Sequence, residues 1–197
     1  MLCWTAPGRG NPDPLGRQGH EPDLHRHSAH FHGVCVTLGG QFGTMPRKPA
    51  RPHRTSCGVV VSDGPRVLLG HATRSVLWDI PKGVASSGEA FAEAAARELQ
   101  EETGLIVAPA ALADLGVHAY LRGKDLAVFA WRQEVMPDPA TLRCTSFMRL
   151  PGGGWIPEFD RFAVLPWEEA LGQVGKNLAR VLGELRAGPG WPFSAAV

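Results

Sequence analysis

Residues 83–105 read GVASSGEAFAEAAARELQEETGL. Glu98, Glu101 and Glu102 stand at i, i+3 and i+4, so on a helix their carboxylates lean toward one face. Like charges at that spacing destabilise a helix by roughly 0.2–0.5 kcal/mol per pair. No lysine or arginine follows at a matching spacing to offset them. A helix with this pattern asks for positive charge from outside itself. Hard divalent cations seek clusters of carboxylate oxygen, and Mg²⁺ takes a few carboxylates together with waters and phosphate oxygens.

Around those acids the pattern is helical from about Glu89 to Thr103. Phe91, Ala92, Ala95, Ala96 and Leu99 form an apolar face, whose alanines permit close packing on a sheet. The three glutamates fall beside that face, and Glu93, Arg97 and Gln100 fall on the solvent side. Ser86, Ser87 and Gly88 suit the N-terminal cap, and Gly104 suits the left-handed stop. Gly83 and Gly104 read as structural, at turns with unusual backbone angles.

Upstream, SCGVVVS and RVLLGHA flank a Gly-Pro turn and predict a hairpin over 56–72, followed by the short extended piece VLWDIPKG. Downstream, a second hairpin is expected around 113–135. A long irregular connection follows to 159, carrying a possible short strand near TSFMRL. RFAVLPW is a last strand, and one C-terminal helix carries Ala170, Leu171, Val174, Leu178, Val181, Leu182 and Leu185 as a stripe. Hairpins with two helices packed on them argue an α/β (α+β) domain over 56–188, with a mixed central sheet.

The rest of the chain reads differently. Residues 1–44 lack any period of 2 or 3.6 and are rich in Gly, Pro, Arg and His, so a tail without packed structure is expected. His20, His25, His27, His30 and His32 lie there without helical spacing or a cysteine pair, and read as compositional bias rather than a metal site. Met45 followed by PRKPARPHR marks 45–55 as a basic arm, and Met45 as a plausible start. Residues 189–197 should fray.

With 197 residues, 44% apolar and 20% charged, the composition is globular. The formal net charge of +1 favours neither nucleic acid nor an anionic membrane. Cys3, Cys35, Cys57 and Cys144 form no CxxC pair, so they read as reduced thiols of a cytoplasmic protein. There is no secretory pattern and no apolar run of the ~20 residues that a membrane helix needs.

The opening stretch, taken whole, resembles the signature of the Nudix hydrolases, G-x5-E-x7-R-E-U-x-E-E-x-G-U, where U is a bulky aliphatic residue. Gly83, Glu89, Arg97, Glu98, Leu99, Glu101, Glu102, Gly104 and Leu105 fill every fixed position. The preceding WDIPKG is similar to the family's entry to the box. The resemblance extends over about 56–186 and implies the Nudix α/β/α sandwich, with the box as a loop–helix–loop. It implies Mg²⁺, or Mn²⁺, held by Glu101, Glu102 and the Lys82 carbonyl, with Glu98 as a further ligand or as the base. It implies Glu89 and Arg97 as an ionic clasp, and Glu158 as a further catalytic acid with Asp160 second in line.

Substrate readers are drawn from Lys82, Arg74 and Trp78. Arg122, Lys124, Phe129, Trp131, Phe147, Trp155 and His71 are weaker candidates, since strand aromatics and histidines are usually core. The activity implied is hydrolysis of a pyrophosphate bond in a nucleoside diphosphate linked to another moiety. A dinucleoside polyphosphate, a nucleotide sugar or a nucleoside triphosphate would qualify. Removal of pyrophosphate from an RNA 5′ end is a second reading, with the basic arm on the RNA backbone. A silent nucleotide-binding regulator is a third, opposed by the intact box. A homodimer is open, and no membrane partner is expected.

Overall fold

Val59, Val60 and Val61 are all fully buried, although successive strand residues point to opposite faces. Their strand must therefore be covered on both sides. The computed structural model describes residues 54–193, and the expectations for 1–44 and most of the basic arm lie outside them. So do Cys3 and Cys35, while Cys57 and Cys144 are free thiols.

The valine strand is β1, Arg54–Ser62, at the centre of a seven-stranded mixed sheet. It runs parallel to β6, Lys124–Arg132, in unbroken register from Arg54↔Lys124 to Ser62↔Arg132. β6 pairs antiparallel with β5, Ala113–Leu121, as the expected second hairpin. The first hairpin departs from expectation. β2, Arg66–Ala72, meets β1 only at Ser62↔Val67 and then splays away. The gap admits β4, Lys82–Val84, which pairs with β1. β2 instead pairs along its length with β9, Phe159–Pro166, and at its far end with β3, Trp78–Asp79.

Helix α1, Phe91–Thr103, covers one face of the sheet. Ala94, Ala95 and Leu99 pack there on Cys57, Val59, Val61, Leu68 and Phe129. Burying a leucine as fully as Leu99 contributes about 1.5–3 kcal/mol. The other face is covered by α2, Trp167–Gln173, and α3, Lys176–Ala187, which set Trp167, Leu178, Val181 and Leu182 on Val60, Leu69, Leu126 and Val128. The fold is the expected α/β/α sandwich with a mixed central sheet.

Four local expectations change. α1 starts at Phe91 with Ala90 as an N-cap that makes no side-chain bond, so Ser86 and Ser87 do not cap it. They form a preceding turn closed by Glu89 N–H to the Ser86 carbonyl at 3.1 Å. Phe91 is 40% exposed, and Ala94 takes its place on the buried face. The C-terminal helix is two helices, because Val174 turns extended to bridge with Trp78. The chain also stays packed past 189. Trp191 stacks edge-on against Trp167 at 5.2 Å and Phe193 at 5.0 Å, and both tail aromatics are buried. Among the described residues no helix is long and apolar enough to cross a membrane.

Candidate active site

The box folds as strand, turn and helix because β4 lies directly beneath α1. A Cβ on Gly83 would stand 2.0 Å from Glu98 Cδ and 2.2 Å from both its carboxylate oxygens. Gly83 is thus required by close approach, and the expectation of an unusual backbone angle holds only for Gly104. That residue has φ 80° and donates its N–H to the Gln100 carbonyl at 2.8 Å.

Glu98 and Glu102 lie on the buried face of α1 itself, not beside it, at 8% and 2% exposure. Glu102 Oε2 accepts the Lys82 backbone N–H at 2.7 Å. Burial pushes the Glu102 carboxyl up to about 9, against the Lys82 N–H and ammonium, and the charges of Glu158 and Glu98 push the same way. Glu98 is raised by burial too, with Glu101 and Glu158 adding to it and Arg97 opposing. Glu101 is nearly half exposed.

Arg97 is the cation that the spacing seemed to lack. It lies on the N-terminal side of the acids and is half-buried rather than facing solvent. Its Nε and Nη2 grip Glu89 at 2.9 and 3.1 Å, while Nη1 reaches Glu98 at 2.7 Å and Glu101 at 3.1 Å. The bidentate bond from Arg97, joined by the Ser86 N–H, holds Glu89 down to about 2.

Glu158 comes to this group from the long connection. Within that connection β7, Phe147–Arg149, and β8, Trp155–Pro157, form a small separate sheet. Its base is tied to the C-terminal half of α1, since the Thr145 and Ser146 N–H groups both donate to the Glu101 carbonyl. Ser146 Oγ–H donates to Glu158 Oε1 at 2.9 Å. Asp160 goes elsewhere and shares a 2.7 Å hydrogen bond with His71 Nδ1.

The substrate candidates are dispersed. The Lys82 ammonium is paired with Asp79 at 2.6 Å. Arg74 is exposed with φ 62° and makes no ion pair among the described residues. Trp78 is half-buried between the His71 edge at 5.2 Å and the Arg161 guanidinium at 5.6 Å. Phe129 is core and Trp131 packs against it. Phe147 and Trp155 remain exposed. Arg122 sits in the exposed β5–β6 turn. A cavity of about 620 Å³ beside the long connection is lined by Leu142, Cys144, Phe159 and Phe162, but by none of the box glutamates.

The donor chemistry at Glu98, Glu101, Glu102 and Glu158 is all oxygen, which suits Mg²⁺ or Mn²⁺. Among the described residues no three His, Cys, Asp or Glu side chains are gathered closely enough to hold an ion as they stand. Two carboxylates raised by burial, and further by neighbouring glutamate charge, nonetheless fit a group that brings positive charge. Sequence reasoning missed the reach of Arg97, although its i,i+4 spacing to Glu101 was a signal. It also missed Ser146, for which the sequence carried none.

The family profile described as NUDIX domain matches residues 52–177. The chain is 39% identical over 111 residues to the uncharacterized 17.7 kDa protein in the e-segB intergenic region of Enterobacteria phage T4. That match covers 55% of this chain and 74% of the phage protein. It is 30% identical over 147 residues to an RNA pyrophosphohydrolase of Rhizobium meliloti (strain 1021), covering 62% of this chain and 84% of that one. Among solved structures it is similar to a bifunctional NMN adenylyltransferase/ADP ribose pyrophosphatase from Francisella tularensis, complexed with AMP and a manganese ion. There the TM-score is 0.52 at 15% identity, over 71% of this chain and 43% of that one, a likeness that speaks for the fold.

Proposed function

The chain belongs to the Nudix hydrolase family, and from that premise we propose that it splits the pyrophosphate bond of a nucleoside diphosphate linked to another moiety, with Mg²⁺ or Mn²⁺. The observation that carries this reading is that buried Glu102 accepts the Lys82 N–H and buried Glu98 lies against Gly83, both within the charge field of Glu158. Glu98, Glu101, Glu102 and the Lys82 carbonyl would hold the metal. When bound, such an ion neutralises the diphosphate and makes water acidic enough to attack.

The chain's own residues supply the rest. Glu98, with Glu158 beside it, accepts the proton of the attacking water. A new oxygen–phosphorus bond forms, the bridging phosphorus–oxygen bond breaks, and the leaving phosphate carries away its electron pair. Glu102 is held in place by the Lys82 N–H. Arg97 fixes Glu98 and Glu101 relative to the loop through Glu89. Lys82, Arg74 and Trp78 stand as substrate contacts, with Lys82 first because it borders the carboxylates. Candidate substrates are dinucleoside polyphosphates, nucleotide sugars and nucleoside triphosphates.

A second reading, removal of pyrophosphate from an RNA 5′ end, is favoured by the name of the Rhizobium relative alone. A silent nucleotide-binding module is disfavoured by the complete set of box glutamates. The test is a panel of the three nucleotide classes and a 5′-triphosphorylated RNA, each with Mg²⁺, with products identified. Turnover of a nucleotide class supports the first reading, and turnover of RNA alone supports the second. Tight nucleotide binding without any turnover overturns both.

A further inference from the structure

The sheet face turned away from α1 carries a second cluster with the opposite charge. Register places its members. Arg54 pairs with Lys124, Ser56 with Leu126, and Gly58 with Val128 across β1 and β6. Gly58 also pairs with Lys82, and Ser56 with Val84, across β1 and β4. Leu126 and Val128 belong to the core under α2 and α3. Paired residues share a face and alternate along each strand, so Arg54, Ser56, Lys82 and Lys124 all turn to that side. A Cβ on Gly58 would lie 3.0 Å from Lys82 Cβ, as this arrangement requires.

Within the cluster, Lys82 is satisfied by Asp79, whereas Lys124 is not. Among the described residues no carboxylate lies within ion-pair distance of the Lys124 ammonium. Burial, then Lys82, then Arg54 hold its pKa below the ordinary lysine value, with Asp79 and Glu158 pulling the other way. Ser56 is 1% exposed, and its Oγ has no hydrogen-bond partner among the described residues. Buried polar atoms are rarely left unpaired, and each calls for a partner. A half-buried ammonium in the field of two other cations, with an unpaired hydroxyl two residues along the same face, presents donors to an anion with tetrahedral oxygens. Arg74 and Arg122 are exposed and have no such surroundings.

We propose that Lys124, flanked by Arg54 and Lys82 and assisted by Ser56 Oγ–H, seats a phosphate group of the substrate. The seat lies across β4 from the box glutamates. It deepens the hydrolase reading and rests on it for the word substrate, since β4 brings the seat and the carboxylates to the same residues. Lys82 contributes its side chain to the cationic face and its N–H to Glu102.

The test is calorimetric titration of the metal-free full chain with inorganic pyrophosphate, and the same titration of Lys124→Ala, Lys124→Arg, Ser56→Ala and Arg122→Ala. Losing one charge-assisted contact weakens binding by about tenfold to a hundredfold in Lys124→Ala. Lys124→Arg should bind within about threefold of wild type, Ser56→Ala should fall between the two, and Arg122→Ala should match wild type. Wild type that does not bind, or Lys124→Ala that binds as tightly as wild type, overturns the seat. The hydrolase reading fails separately. Wild type that binds pyrophosphate through Lys124 but turns over no nucleotide keeps the seat and removes the reaction. If turnover occurs, Lys124→Ala should raise KM about tenfold with kcat within about twofold. Turnover with KM unchanged in Lys124→Ala overturns the seat and leaves the reaction standing.

Discussion

Gly83→Ala should separate activity from stability. The added Cβ would stand 2.0 Å from Glu98 Cδ and 2.2 Å from each carboxylate oxygen. Carbon atoms in ordinary contact sit ~3.5–4.0 Å apart, so something must yield by about 1.5 Å. The atoms that meet the methyl are the far end of Glu98, and they yield before the backbone of β4 does. Overpacking a core costs about 1–3 kcal/mol, and a movable side-chain end puts this case near the bottom of that range, at about 1 kcal/mol. For a domain of this size that lowers Tm by about 3 °C. The catalytic cost is larger, because a 1 Å misplacement can cost about a hundredfold in rate, and Glu98 would also leave Arg97. The assay pairs a thermal melt with kcat on the best substrate of the panel. Adding Glu98→Asp, one methylene shorter, should return Tm toward wild type without returning kcat. A Gly83→Ala protein with normal kcat would refute the placement of Glu98 as a reacting group. One that loses about 3 kcal/mol or more would show that the backbone, not the carboxylate, gives way.

Glu102→Gln should lower kcat by orders of magnitude while the melt stays at or above that of wild type, since it removes a buried carboxyl whose charge is disfavoured there; normal turnover would refute the metal assignment. Glu89 has a depressed folded pKa, so its clasp to Arg97 stabilises the fold above the ordinary carboxylate value of 4.5 and is lost as pH falls through about 2. The Tm difference between wild type and Glu89→Gln should therefore shrink over that window, and a difference that grows toward acid would be the wrong sign. Ending the chain after Gly190 removes Trp191 and Phe193 from the core. It should cost several kcal/mol, as buried Phe or Trp truncations cost about 3–5 kcal/mol each, and an unchanged melt would show that the tail aromatics do not hold the fold. Gly183→Ala, in open space inside α3, should raise Tm by a few degrees with activity unchanged.

The site was more legible in the sequence than its supports were. Helical period alone puts Glu98 and Glu102 on one side of α1 with Glu101 at its edge, and valine-rich runs announce buried strands. What escaped depended on contacts between residues far apart in the chain. The first hairpin opens because β4 and β9 compete for the strands that a local turn would pair. The C-terminal helix breaks because Trp78 bridges to Val174. Glu158 and Asp160, two apart on an extended segment, would share a side by simple alternation. They do not, because Phe159 pairs with Ala72 and Arg161 with His71, leaving Asp160 as an extra residue in a bulge. That extra residue sends Asp160 to His71 and leaves Glu158 with the box glutamates. No pattern in the local sequence announces such an insertion.

The short strand β4 is where these threads join. On one side Gly83 has no side chain, so Glu98 can lie against the backbone. On the other, Lys82 turns its ammonium to Asp79 and toward Lys124 and Arg54. Glu98 and Glu102 lie on the α1 side of this strand, and Lys82, Lys124 and Arg54 lie on the side of α2 and α3, where Asp79 is the carboxylate paired with Lys82. The box needs glycine at 83 for a reason other than turn geometry: a Cβ there would take the place of the Glu98 carboxylate, on a strand whose preceding residue, Lys82, sends its side chain to the opposite face.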